Sequence, residues 1–324
     1  MTQQVFIRRR EEFWKEFETA VHGRGKKFRE GASWFPGAYR ELTQDLNTAK
    51  ANGFDPFIIE KLNSLVMEGN QILYSQRSWS LKAALNFVLF VFPRAVRTHW
   101  RSLGASLLIF YGLALFFCFL CVRNPSMVFQ LLGGDAISGL ESMYDPDSSR
   151  FLHPRDVNSD ADMFGFYIYN NISIAFRIFA GGIIAGVGSL VVLCFNGAFL
   201  GIVAGHIINL GFGETFFPFV IGHSSFELTA ICLSAQGGLL LGYSFFVTKG
   251  LSRSASIKLA GKTALPIIAG AALMLVVAAC IEAFWSSRYT LLPELRYGAG
   301  IAGWVLVIVY LAFAGRSGNR EKNL

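Results

Sequence analysis

Apolar residues follow two different rhythms along this chain. In the first 80 residues they recur at helical spacing, with Phe13, Trp14, Phe17, Ala20 and Val21 on one face. The same pattern returns over 36–50 and 55–74. Between them lies Ala51-Asn-Gly-Phe-Asp-Pro56, a turn in which Asp55 can cap the helix that Pro56 opens. A small mixed-charge helical hairpin or three-helix region over residues 1–80 follows, too small for an independent enzyme core.

After residue 100 the rhythm changes to long apolar blocks. They run at about 103–122, 164–194, 196–212, 226–247, 264–284 and 299–314, and each can cross roughly 30 Å of hydrocarbon. An all-α polytopic bundle of about six membrane helices over 102–315 is expected, followed by a tail at 316–324. The block at 83–92 is too short to span and ends at Pro93. Residues 81–101 therefore read as an amphipathic segment lying on the bilayer. Nothing at the start resembles a cleaved signal peptide.

Composition agrees, at 53% hydrophobic residues, and charge supplies orientation. Arg77, Lys82, Arg94, Arg97 and Arg101 precede the first span. Lys249, Arg253, Lys258 and Lys262 join spans four and five, and the tail carries Arg316, Arg320 and Lys322. Residues 123–163 are instead acidic, with Asp135, Glu141, Asp145, Asp147, Asp156, Asp160 and Asp162. The positive-inside rule then places both termini in the cytoplasm. The net charge of +7 is mostly this topology signal, and no concentrated basic face suggests nucleic acid. The five cysteines fall within or at the ends of apolar blocks and read as packing residues, not a disulfide framework.

Polar residues inside the blocks carry the candidate chemistry, because ionisable groups at membrane depth are costly without partners. Asn170, Arg177, Gly181 and Gly188 share a sector of one continuous second span, with Asn171 beside them. His223 and Glu227 share a face of the fourth span with Gly238, and Glu282 lies near the end of the fifth beside Ala278 and Ala279. Gly197, Gly201 and Gly205 form a close-packing stripe in the third, followed by His206 and Asn209. The topology puts all these polar groups in the outer half. An ion network of Glu227 and Glu282 on Arg177, tuned by His223, is expected. The aromatic loop 211–223, with Glu214 and Pro218, is expected at the outer interface or folded back into the bundle.

No phosphate-cradling glycine loop, nucleophile elbow or paired-glutamate protease motif occurs, which argues against an enzyme. His223-x-x-x-Glu227 lacks the second histidine of the helical zinc-protease pattern, so neither metal nor cofactor is expected. The acidic loop fits no twelve-residue calcium motif.

Several short motifs, in order, resemble the stage II sporulation protein M family of bacterial membrane proteins. They are Tyr169-Asn170-Asn171 with Ala175 and Gly181-Gly182, then Asn196-Gly197-Ala198-Phe199-Leu200-Gly201. His223-Ser-Ser-Phe-Glu227 follows, with serine where the family has glycine, and then Ile281-Glu282-Ala283-Phe284. The resemblance covers roughly 100–315. It implies a multispanning, non-enzymatic anchor, the name-giving member working with cell-wall hydrolases during engulfment. The expected function is thus an inner-membrane scaffold coupling a cytoplasmic partner to envelope remodelling. A permease or lipid-handling protein using an outer-facing polar cavity is the alternative, and an intramembrane hydrolase the third. Lipid bilayer, protein partners on both faces and a possible homo-oligomer complete the expected partners.

Overall fold

The computed structural model describes residues 2–22, 34–75, 81–147, 157–288 and 291–316. Arg77, Asp156 and the tail beyond Arg316 lie outside these, as do the expectations placed on them. Every regular element among the described residues is helical, and they divide into two compact units, Met1–Leu81 and Lys82–Leu324.

The first unit holds α1 (Gln3–His22), α2 (Phe35–Ala51) and α3 (Pro56–Ser75). The helical stripes close on one core of Phe6, Trp14, Phe17, Phe35, Leu42 and Leu62, in which Phe17 stacks on Phe35 at 5.1 Å. Full burial of each such side chain contributes about 1.5–3 kcal/mol. The Asp55 carboxylate accepts from the Phe57 amide at 2.8 Å, as a helix cap should. Asp45 bolts α2 to α1, accepting from both Arg10 Nε and Trp14 Nε1 at 2.8 Å. Burial works against the Arg10 charge, but Asp45 and Glu41 outweigh it and raise the guanidinium pKa.

The second unit begins with α4 (Leu81–Asn86), a π-turn at Phe87–Val91 and α5 (Phe92–Thr98). Then come α6 (Trp100–Arg123), the short α7 (Met127–Leu131) and α8 (Gly134–Tyr144), α9 (Val157–Ala180) and α10 (Val187–Leu210). Last are α11 (Gly213–Phe246), α12 (Arg253–Ile281) with a π-turn at Glu282–Ser286, and α13 (Pro293–Phe313). Among the described residues, five helices are long and apolar enough to cross a membrane: α6, α10, α11, α12 with its π-turn, and α13. More polar, α9 nevertheless packs in the same bundle, against α11 and α12.

The expected second span, 164–194, is two helices. It breaks at a short 3₁₀ turn, Gly181–Ile183, after which Ala185 and Gly186 take left-handed backbone at φ 51° and 82°. The break doubles the chain back, so Gly188 faces Gly181 across a hairpin instead of sharing its helix face. A Cβ built on Gly181 would lie 2.5 Å from the Gly188 carbonyl carbon, which only glycine avoids. The Ser189 hydroxyl donates to the Ile178 carbonyl and ties the hairpin shut. The next span accordingly starts at Val187, not 196. The 211–223 segment is not a loop either, since from Gly213 onward it forms the first turns of α11 and absorbs Pro218 close to the helix start.

The glycine stripe of α10 works as expected. Cβ atoms on Gly197 and Gly205 would come within 2.6 Å of Phe110 O and 2.8 Å of Cys118 O, and one on Gly201 would strike Ala114 O. A four-residue step on α10 thus meets a four-residue step on α6. Gly238 likewise leaves room for Ser189 and for Ile178 O, 2.8 Å from a would-be Cβ.

The 81–101 segment does not simply lie on the bilayer. Phe92 and Val96 are buried in a cluster with Leu233, Ile267 and Val307, and Phe92 fills the space left by Gly270. The Gln236 amide donates to Val96 O and His99 O at 2.9 and 3.1 Å. Arg97 donates to Leu311 O and Ala314 O, satisfying carbonyls that the end of α13 leaves open. All five cysteines are free thiols.

Candidate functional site: a polar cavity in the bundle

Helix α11 carries His223 and Glu227 one turn apart, with His223 Nε2 3.6 Å from Glu227 Oε2. Glu282 reaches them from the π-turn at the end of α12, and ligand-capable atoms of all three lie within 4.8 Å of one another. The π-turn matters here. Its extra residue re-aims the last turn so that Glu282 and Ser286 both face α11, a common use of π-bulges. His223 Nδ1 lies 3.3 Å from Ser286 Oγ. Gly222 makes that approach possible, because a Cβ there would sit 2.7 Å from the same Oγ.

From α9, the Asn170 amide donates to Asn171 Oδ1 at 3.1 Å, and Asn171 in turn hydrogen-bonds Glu227. The result is a polar line Asn170–Asn171–Glu227–His223–Ser286 running across three helices. Glu227 Oε2 is buried and accepts no hydrogen bond among the described residues. Asn170, Asn171, His223, Glu227 and Glu282 line a cavity of about 270 Å³ together with Asn196. Aromatic residues Tyr144, Phe216 and Phe219 cover its far wall. An apolar groove of about 440 Å³ adjoins it, walled by Leu115, Ala204 and Tyr297, among others. Leu200, Phe216, Val220, Ser224 and Leu228 line both spaces.

Arg177 is not in the cluster. It lies exposed in the last turn of α9, with no ion pair to Glu227 or Glu282 among the described residues. The hairpin break explains this. A continuous helix would hold Arg177 deep in the span, whereas here it stands at a helix C-terminus, where the dipole favours a cation and the long side chain can reach the interface.

His206, Asn209 and Glu214 also stand apart. His206 Nε2 pairs with Glu141 of α8 at 2.9 Å, and the Asn209 amide donates to Cys121 O at 2.8 Å. Glu214 is exposed in the first turn of α11. Nearby, the Thr215 hydroxyl donates to Tyr144 O, and Tyr144 packs edge-on against Phe216. These contacts fasten α8 over the same end of the bundle. Part of the acidic segment is thus a roof over the cavity, not a solvated loop. Asp160 is buried in the first turn of α9 and 3.4 Å from Arg288.

Sequence reasoning missed Ser286, Asn196, Gln236 and Asp160 as placed groups. Asn196 and Gln236 could have been found as lone amides inside apolar blocks. Ser286 could not, since serine is common at helix ends.

Two family models match the chain. A domain of unknown function (DUF8413) matches residues 4–75, close to the first unit. Stage II sporulation protein M matches residues 106–287, which include every residue of the polar line. Comparison with curated proteins and with solved structures returned no match. With more than half of its length matched, the chain belongs to the stage II sporulation protein M family.

Proposed function

We propose that this membrane protein holds an amphiphile taken from the bilayer, its polar head in the Asn171–His223–Glu227–Glu282 cavity and its tail along the adjoining groove. The observation that carries this is continuity: a polar chamber and an apolar groove share five wall residues. A dry structural knot would close on its own hydrogen bonds and leave no chamber. The basic residues Arg94, Arg97, Arg253 and Arg316 gather at the other end of the helices. In a bacterial inner membrane, the setting that the family implies, the positive-inside rule then turns the cavity toward the outer leaflet and keeps both termini cytoplasmic.

A scaffold role is the second reading, favoured by the separate core of Met1–Leu81, a unit able to engage a cytoplasmic partner. The two roles are compatible. Retention of an amphiphile by purified protein, read by native mass spectrometry, tests the first. Ala204→Phe should fill the groove and abolish retention, while Asn171→Leu should weaken it. Wild-type protein that retains nothing, or retention unchanged by Ala204→Phe, rejects the proposal. Glu227→Gln that recovers partners normally yet loses cellular function rejects a scaffold-only role.

A further inference from the structure

We propose that His223, Glu227 and Glu282 form a site for a divalent transition-metal ion of the zinc class, with its open coordination position facing the cavity. The sequence denied such a site because His223-x-x-x-Glu227 lacks a second histidine. The fold supplies a third ligand instead, from 55 residues further along the chain, through the π-turn at Glu282.

Four features converge on this. The ligand atoms lie within 4.8 Å of one another, and tetrahedral bonds of about 2.0–2.2 Å would bring them to about 3.4 Å, a shift within reach of side-chain rotation. Ser286 Oγ stands at His223 Nδ1, so an Nδ1–H donated to it directs the Nε2 lone pair toward the carboxylates. This is the outer-shell partner that metal-binding histidines usually have. Asn171 orients Glu227 in the same way. Finally, Glu227 Oε2 is buried with no hydrogen-bond donor, and no lysine or arginine pairs with this carboxylate among the described residues. A dication would supply the partner that this buried oxygen lacks.

Three protein ligands and one open position distinguish a site that meets a ligand from a closed structural one. The imidazole and carboxylate donors suit zinc, with manganese or ferrous iron as neighbours in the same class. The metal would face the head of whatever enters the chamber, so the inference extends the amphiphile reading without depending on it.

The test uses the full chain purified in detergent, stripped with chelator and titrated with zinc alone, then with cobalt(II). Elemental analysis should find about one ion per chain, and cobalt should give a visible ligand-field spectrum. Glu282→Gln and His223→Ala should abolish uptake. Ser286→Ala should weaken it by about 10–100-fold while leaving the thermal transition of the stripped protein unchanged. No saturable uptake by the wild type overturns the inference, as does undiminished uptake by Glu282→Gln or His223→Ala. Should these variants fail to fold, an unchanged affinity in Ser286→Ala overturns it. Amphiphile retention without metal uptake rejects this inference alone, and metal uptake without retention rejects the earlier proposal alone.

Discussion

The two units of this protein are packed on opposite rules. The first hides Phe17, Trp14, Leu42 and Leu62 and leaves most of its charges outside, with Asp45 the buried exception. The second turns Phe116, Phe119, Phe195 and Leu306 outward and buries His223, Gln236, Ser189 and Ser234. In water, burying apolar area is the main source of stability. Among lipid tails that source vanishes, because a leucine gains little by leaving hydrocarbon for protein. The bundle therefore relies on close backbone approach at glycines and on hydrogen bonds between helices. That leaves its interior free to hold polar groups, which is why a candidate site can lie there.

The largest expected effect tests the water-facing rule. Phe17→Ala removes a fully buried ring that stacks on Phe35, and should destabilise the first unit by about 3–5 kcal/mol. Hydrogen exchange on the full-length protein, followed within residues 2–75, measures it. Loss of protection should be confined to that unit, and equal loss throughout α6–α13 would show that the two cores are not separate.

Next come the seams. Gly201→Val forces two methyl groups into the backbone of α6 at Ala114 and should cost about 1–3 kcal/mol, read as a lower midpoint of bundle unfolding in detergent. In the first unit, Asp45→Ala leaves buried donors on Arg10 and Trp14 without an acceptor and should also cost about 1–3 kcal/mol. If Gly201→Val proved neutral, the seam would be loose and the contrast between the units would fail on its membrane side.

Gln236→Leu is the membrane counterpart of Asp45→Ala, and should cost less. Its amide joins α11 to Val96 and His99, and interhelical hydrogen bonds in membranes average about 0.6 kcal/mol each, reaching about 1.7. The variant should loosen 92–99 before the rest of the bundle, seen as faster exchange confined to that segment.

The rules also explain what could be read from the sequence. Hydropathy located the bundle, and helical spacing located the first unit, because each follows from the solvent that the element meets. The hairpin at 181–186 escaped because Gly-Gly-Ile-Ile-Ala-Gly is as apolar as the helices it joins. Only the excess length of the 164–194 block hinted at it. That miss moved Arg177 into a cluster it does not join. The meeting of His223, Glu227 and Glu282 was legible, since helix direction alone places them at one end. The reach of Ser286 was not, because it depends on one extra residue in a π-turn.

The smallest expected effect is the sharpest comparison. Phe195 is as large and apolar as Phe17, yet it stands 68% exposed on α10 while Phe17 is fully buried. In water such an exposure would be an adhesive patch, but in a bilayer the ring exchanges one hydrocarbon contact for another. Phe195→Ala should therefore shift bundle unfolding in detergent by less than about 0.5 kcal/mol, against about 3–5 for Phe17→Ala. A cost near that of Phe17→Ala would mean that this face meets protein, not lipid. The same ring would then mark a contact between copies of the chain, and cross-linking through a cysteine at 195 in membranes would capture the dimer.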